Sequence, residues 1–421
     1  MPHYHIWTIG CQMNKADSES IAAFLEQCGY RSTANIDNAD IVVLNSCVVR
    51  QSAESKVANK IDALRRLDDG KVLTVTGCIV DANVDVMKKR FPRVDLFFGP
   101  QDIGALSQYL RDRGLSASNT DEHGHRVKHK VSSLVNIMHG CNNFCSYCIV
   151  PYRRGREVSR PLSDIVAEVE SVVAGGAKEV VLLGQNVDSY GHGLPGSPKL
   201  GGLLEELNRV EDLARIRFLT SHPKDMSDEL IEAIARLDKV CESISLPFQA
   251  GDDGILEAMR RGYTNAQYRR LVERIREVIP DVALSTDVIV GFPGESDAQF
   301  DKSRRMIEDI RFDTVHIACY SPRTGTVAER NMPDDVPASV KIKRRKELEA
   351  LQERIVSEIN GGLEGKTVEV LVEGRKKGKW WGRTRSDKLV FFEDATDRIG
   401  QLVDVRIEST SPWSLQGEID R

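Results

Sequence analysis

The run HGCNNFCSYCIVPYRRGRE, residues 139–157, sets Cys141, Cys145 and Cys148 in a C-x3-C-x2-C pattern. Thiolates this close suit a metal centre. A four-iron cluster held by only three of them leaves one iron without a protein ligand, open to chelate a small molecule. A structural zinc ion is the alternative, and it needs a fourth ligand. His139 is the one nearby candidate, and the two-knuckle spacing usual for zinc is missing.

Cys11, Cys47 and Cys78 form a second set. Each closes an apolar run: WTIGC, VVLNSC and LTVTGC. Their spacing defeats any short-motif reading. On consecutive strands of a parallel sheet, however, equivalent loop positions at the carboxyl ends lie side by side. Three cysteines at those positions converge, and Gly10 and Gly77 before two of them allow close backbone approach to a cofactor. Three small buried core thiols are the plainer reading, but all three stand at strand ends and none in mid-strand. Cys28, Cys241 and Cys319 match neither set and are read as ordinary core or surface thiols.

The elements that must position these residues are legible in the hydrophobic pattern. Residues 1–111 alternate short apolar runs with amphipathic stretches four times, with Asp40 to Leu44 as a buried strand and Ser52 to Leu67 as a helix. This predicts a parallel α/β sandwich. Residues 112–130 are polar, aperiodic and rich in histidine (His123, His125, His129), and read as a solvated linker. Residues 131–360 carry six strand candidates, SSLVNIM, EVVLLG, RIRFLT, SISLPF, LSTDVIVGF and DTVHIACYS. With helices between most of them they predict a partial (β/α) barrel whose chemistry lies at the carboxyl ends of the strands. A charged helix, Ala338 to Asn360, leads out of it. Residues 361–421 switch to short β runs and Gly/Asp turns, the pattern of a small antiparallel barrel. The fold class is therefore α/β with a small all-β appendage.

The chain of 421 residues is 41% hydrophobic and 29% charged, ordinary for a water-soluble protein. No apolar run is long enough to span a membrane, and the opening MPHYHIWTIG does not read as a signal peptide. Nine cysteines without an export signal fit reduced thiols and a cytoplasmic location. The net charge of −5 makes any nucleic-acid contact depend on local basic patches.

C-x3-C-x2-C with Tyr147 before the last cysteine resembles the signature of radical S-adenosylmethionine enzymes. The resemblance implies that the methionine moiety chelates the open iron and that an electron from the cluster breaks a carbon–sulfur bond to give a 5′-deoxyadenosyl radical. It places Tyr147 near the adenine. GCQMN, NSC and TGC in an amino-terminal α/β domain, followed by the radical motif and a small β-barrel, resemble the methylthiotransferase family over essentially the whole chain. This implies two 4Fe-4S clusters, one on Cys11, Cys47 and Cys78 and one on Cys141, Cys145 and Cys148. S-adenosylmethionine is then used twice, as methyl donor and as radical source, with no side-chain acid or base assigned.

Within that family GCQMN, LLGQNVDSYG and RFLTSHP resemble the branch acting on isopentenyl-adenosine at tRNA position 37. The other branches act on threonylcarbamoyl-adenosine in tRNA or on an aspartate of a ribosomal protein. Val48–Val49 and LPFQAGDD depart from the first branch. Positions at strand ends, Gly184, Gln185, Ser221 and Gln249, together with Asp287 in TDVIVGFPGE, are expected at the cofactor.

The last domain resembles the TRAM domain, a small RNA-binding β-fold. It has 11 basic and 11 acidic residues, yet RKKGKWWGRTRS packs six bases and no acid. Arg375, Lys376, Lys377, Lys379 and Trp380 are expected to meet RNA by phosphate contact and stacking, although one of the adjacent Trp380 and Trp381 must face the core. Arg153 and Arg154, with Arg156 and Arg160, form a second basic cluster, read equally as RNA contacts or internal ion pairs. The partners implied are the tRNA anticodon stem-loop and an electron donor such as a flavodoxin or ferredoxin, with the enzyme a monomer. A zinc-stabilised RNA-binding module without catalysis is the rival from another class.

Overall fold

The computed structural model describes residues 1–47, 51–64, 70–80, 84–100, 102–115 and 130–420. The expected linker thus falls largely outside the described residues, as do its three histidines and Val48–Val49.

The amino-terminal sheet contains β1 (His3–Ile9), β2 (Arg31–Ser32), β3 (Ile41–Ser46), β4 (Val72–Thr76) and β5 (Leu96–Phe97) in the order β2-β1-β3-β4-β5. Every pairing is parallel. The helices α1 (Gln12–Gln27), α2 (Gln51–Ala63), α3 (Val84–Arg90) and α4 (Ile103–Asp112) cover both faces. Alternation along β3 explains the layering. Val42 and Leu44 pack with Val57, Ile61 and Met87 on one side, while Ile41 and Val43 pack with Ile21, Leu25, Leu106 and Leu110 on the other. Strands buried on both faces read as continuous apolar runs, as IVVL does.

The central region holds β6 (Ser132–Asn136), β7 (Met138–His139), β8 (Val158–Ser159), β9 (Glu179–Leu183), β10 (Arg215–Phe218), β11 (Ser243–Ser245), β12 (Ala283–Val290) and β13 (Thr314–Cys319). Two three-stranded parallel sheets, β10-β9-β6 and β11-β12-β13, are joined by a parallel bridge between Ile216 and Val240. The six expected strands are therefore present in chain order as a partial barrel. The short helix α5 (Val150–Arg153) follows the cysteine loop. Around the outside run α6 (Leu162–Ala174), α7 (Leu200–Asn208), α8 (Asp228–Arg236), α9 (Asp253–Ala258), α10 (Asn265–Val278), α11 (Asp297–Ile310), α12 (Val327–Asn331) and α13 (Ala338–Gly361). Reciprocal capping boxes, Thr264 with Gln267 and Ser296 with Gln299, start α10 and α11.

The carboxyl-terminal strands β14 (Thr367–Lys376), β15 (Lys379–Thr384), β16 (Leu389–Phe392), β17 (Leu402–Thr410) and β18 (Leu415–Ile419) close a barrel in the order β14-β15-β16-β18-β17. Its pairings are antiparallel except β16 with β18, which is parallel. The expected purely antiparallel barrel is corrected at that seam. The reason is topological: β17 reaches across to pair with β14, so β18, running back antiparallel to β17, returns alongside β16 in the same direction.

This barrel docks on the amino ends of the central strands. Arg215, fully buried at the start of β10, donates to the Arg383 carbonyl at 2.6 Å and to Glu369 Oε1 at 2.7 Å. Arg217 pairs with buried Glu179 at 2.8 Å and donates to the Thr384 and Arg385 carbonyls. Arg385 grips both carboxylate oxygens of Glu242 at 2.7 Å. The opposite, carboxyl ends of the strands remain for the site.

Candidate active site

Cys11, Cys47 and Cys78 do converge. They follow the neighbouring parallel strands β1, β3 and β4, and the Cys47 amide donates to the Ile9 carbonyl at 2.9 Å. The Cys47 thiol is hydrogen-bonded to both Cys11 and Cys78, which pushes Cys47 up and holds its two neighbours down. Cys11 is also the N-cap of α1, where the helix dipole favours a thiolate. Gly10 and Gly77 make the convergence possible. A Cβ on Gly10 would lie 2.7 Å from the Cys47 Cβ, and one on Gly77 2.4 Å from the Ser46 carbonyl oxygen. The glycines let the loops approach one another. Asn14 and Asn45, both fully buried, lock α1 to β3 through a 2.9 Å side-chain bond, and Cys11 Sγ donates to Asn14 Oδ1 at 3.2 Å.

Cys141, Cys145 and Cys148 lie in the loop between β7 and α5, at the carboxyl end of β6. Burial and the neighbouring Cys145 charge push Cys148 up to about 12, and burial raises Cys141. Ser146 pins the loop: its amide donates to the Met259 carbonyl at 3.0 Å and its hydroxyl to the Ala258 carbonyl at 2.7 Å. Among the described residues no three His, Cys, Asp or Glu side chains close on one point as the ligands of a single ion would. An iron–sulfur cluster spreads its thiolates around a larger body, so the two triads fit clusters on the chemistry of their donor sets.

Each triad has a buried arginine on one sulfur. Arg154 Nε donates to Cys78 Sγ at 3.0 Å, and Arg261 Nη1 donates to Cys145 Sγ at 3.4 Å. Arg261 was not among the residues singled out from the sequence; in AMRRGY nothing separates it from Arg260, which is exposed. The loops that carry the two triads also meet. Ile149, next to Cys148, packs against Cys78, and Met13 and Ala16 of α1 pack on Val181 and Leu183 of β9.

Polar atoms with no hydrogen-bond partner among the described residues gather at the barrel mouth. They are Asn136 Oδ1 at the end of β6, Gln185 Oε1 and Asn186 Oδ1 after β9, and His222 Nε2 after β10. His222 Nδ1 accepts from the Lys224 amide, so the proton sits on Nε2. Buried polar atoms left unpaired on three adjacent strand ends are what a polar ligand would satisfy.

The remaining expected residues sort as follows. Tyr147 is half-buried and meets Phe292 edge-on at 6.5 Å. Gly184 is needed for packing, since a Cβ there would lie 2.6 Å from Met138. Ser221 Oγ donates to Asp188 Oδ1 at 2.9 Å, and the His222 amide to Asp188 Oδ2. Burial pushes the Asp188 carboxyl up to about 7. Gln249, buried with a φ of +66°, bridges to Val288, and its amide donates to the Asp287 carbonyl.

Two RNA expectations are corrected. Arg154 is buried and salt-bridged to Asp17 at 2.7 Å, because the amino-terminal domain covers it; the internal-pair reading holds. Arg160 likewise pairs with Glu168 at 2.6 Å. Arg153 is half-buried and Arg156 exposed. Trp380 is the core tryptophan, its ring in the barrel interior and its Nε1 donating to the Asp394 carbonyl at 3.1 Å. Period-two alternation leaves Trp381 on the outer face. Arg375, Lys376 and Lys377 are exposed at the β14–β15 turn, and Lys379 is half-buried. A groove of about 1240 Å³ on the same barrel has five acids (Glu393, Asp394, Glu408, Glu418, Asp420) against Lys379 and Arg398. Its charge repels phosphate, whereas the turn carries three exposed cations.

Three family models match successive parts of the chain: Uncharacterized protein family UPF0004 over residues 3–99, Radical SAM superfamily over 135–307 and TRAM domain over 363–419. A radical S-adenosylmethionine methyltransferase, TsrM from Kitasatospora setae, has a similar fold at 14% identity, with a TM-score of 0.54 over 76% of this chain and 75% of that one. Fold and site together define a radical S-adenosylmethionine enzyme. A tRNA-2-methylthio-N(6)-dimethylallyladenosine synthase of Dehalococcoides mccartyi (strain CBDB1) is 50% identical, covering 100% of this chain and 99% of that protein. The synthase of Roseiflexus sp. (strain RS-1) is 48% identical over 99% and 90%. The chain belongs to the tRNA-2-methylthio-N(6)-dimethylallyladenosine synthase family.

Proposed function

We propose that the enzyme inserts a methylthio group at carbon 2 of N6-isopentenyladenosine, at position 37 in the anticodon stem-loop of tRNA, consuming two molecules of S-adenosylmethionine. The observation that carries this reading is the meeting of the two loops that bear the cysteine triads, with Ile149 beside Cys148 packed on Cys78. A radical enzyme that only abstracts hydrogen needs one such triad. When bound, a reduced 4Fe-4S cluster on Cys141, Cys145 and Cys148 supplies the electron for S-adenosylmethionine cleavage, and a second on Cys11, Cys47 and Cys78 supplies the inserted sulfur.

The protein's own residues bind and orient. Three thiolates per triad leave one coordination position for a non-protein ligand. Gln185, Asn186 and His222 present unpaired polar atoms to that mouth, suited to the polar groups of S-adenosylmethionine or the target base. Tyr147, packed on Phe292, and Gln249 and Asp287 on the facing strands complete the cofactor's side. Met13, Val181 and Leu183 exclude water between the domains. Arg375, Lys376 and Lys377 hold the RNA backbone, and a loop nucleotide is already partly unstacked, which lowers the cost of extruding it.

The functional units on this reading are 1–111, 131–360 and 361–421. Electrons come from a flavodoxin- or ferredoxin-type donor, and the enzyme acts as a monomer in the cytoplasm, where its tRNA substrate resides. Among the described residues no helix is long and apolar enough to cross a membrane. Nucleoside mass spectrometry of tRNA from cells lacking the protein tests the substrate. Loss of the methylthio-isopentenyl nucleoside and accumulation of its isopentenyl precursor is expected. Its persistence, with loss of a methylthiolated threonylcarbamoyl nucleoside or ribosomal-protein residue, would overturn the assignment.

A further inference from the structure

Arg154 stands six residues past Cys148, yet its guanidinium lies inside the other triad. Nε donates to Cys78 Sγ at 3.0 Å and Nη2 to Asp17 Oδ2 at 2.7 Å, across 76 and 137 residues of chain. The Arg154 and Asp17 side chains are only 2% and 4% exposed, and Arg154 Nη1 has no partner among the described residues. Desolvating such an ion pair cancels most of its Coulombic gain, so apolar residues of similar volume would serve stability as well or better. Stability alone therefore does not account for a guanidinium here. An arginine stays charged at any working pH, and a permanent positive donor on a ligand sulfur favours the more reduced, more negative state of a cluster.

We propose that Arg154 is a positioning residue joining the two halves of the site. Through Nε it raises the reduction potential of the cluster carried by Cys11, Cys47 and Cys78, and through Asp17 it latches α1 and that triad onto the radical domain. This rests on the function proposed above.

The test uses the full-length chain with Cys141, Cys145 and Cys148 replaced by alanine, so that only the second cluster reports. A redox titration followed by electron paramagnetic resonance compares it with the same chain carrying Arg154→Met and Asp17→Asn, which removes the donor without stranding a buried carboxylate. The expected result is a shift to lower potential, whereas Asp17→Asn alone, which releases the latch and keeps the donor on Cys78, should not lower it. An unchanged potential in the double variant overturns the tuning role, and so does an equal fall with Asp17→Asn alone, which would mark a purely structural effect. In the iron-free protein, Arg154→Met alone should speed α1 exchange about tenfold or more, because Asp17 is left buried and unpaired. Equal exchange overturns the latch. Failure of the parent to take up iron on Cys11, Cys47 and Cys78 would count against the proposed function instead, and the exchange comparison still decides the latch.

Discussion

The guanidinium of Arg261 reaches Cys145 Sγ at 3.4 Å with Nη1, while its Nη2 donates to the Pro247 carbonyl at 3.0 Å. One buried side chain thus ties the radical loop to the segment between β11 and β12. Tyr263 lies under it, its ring centroid 5.4 Å from the guanidinium carbon. Charged hydrogen bonds of this kind contribute about 1.5–3 kcal/mol each.

Arg261→Met should therefore lower the stability of the iron-free protein by about 2–3 kcal/mol, read as a lower urea midpoint with an unchanged slope. Arg261→Lys should recover less than half of the loss, because an ammonium cannot serve the two acceptors in a planar fork. A midpoint unmoved by the methionine variant would show that this contact contributes nothing to folding.

Iron analysis after anaerobic reconstitution separates the cysteines. About eight irons per chain are expected, from two four-iron clusters. Replacing Cys11, Cys47 and Cys78 together by alanine should leave about four, and so should replacing Cys141, Cys145 and Cys148. Cys28→Ala, Cys241→Ala and Cys319→Ala should each leave the count at about eight. Recovery of zinc in place of iron would favour the non-catalytic RNA-binding module.

His222 sets a pH dependence. Burial, aided by the charges of Arg261 and Lys224, pushes its pKa down to about 2. In the unfolded chain a histidine takes up its proton near pH 6.5, so on acidification the unfolded state binds the proton first. The stability tied to a neutral His222 is complete above about pH 6.5 and is lost as pH falls towards 2, at up to about 1.4 kcal/mol per pH unit. His222→Gln should flatten the acid limb of a plot of unfolding free energy against pH between about 4 and 6.5. An acid limb as steep as in the native protein would assign it to other groups.

The turn between β14 and β15 should govern RNA affinity. Replacing Arg375, Lys376 and Lys377 by glutamine should weaken tRNA binding and reduce the slope of log K against log salt by about 2 in total. Trp381→Ala should cost about 1–3 kcal/mol in binding with the fold intact if a base stacks there. Trp380→Ala should instead cost about 3–5 kcal/mol in folding, because it empties the barrel core. Equal effects of the two tryptophans on RNA binding alone would contradict their opposite facing.

Much is legible in the amino-acid sequence alone. Thiols at C-x3-C-x2-C and at the ends of three apolar runs are local facts, and period-two and helical patterns are local too. They placed the cysteines on the correct loops of the correct layers, and all six central strands fell where the apolar runs stood. Arg154 is left between two readings and Trp380 is given the wrong face, because a basic or aromatic run states composition without saying which way each side chain points. Arg261 was missed because its partner, Cys145, lies 116 residues away.

What the sequence by itself determined is the chemistry on offer: two sets of three thiolates, a parallel sandwich and a partial barrel to hold them, and a basic turn on a small β-barrel. Only the tertiary structure decided that the two sets share one interface, with Ile149 on Cys78 and Arg154 paired to Asp17. The physical reason is range. Element type and loop position follow from neighbours a few residues apart, whereas a contact between residues 137 apart in the chain exists only once two separate cores have packed against each other.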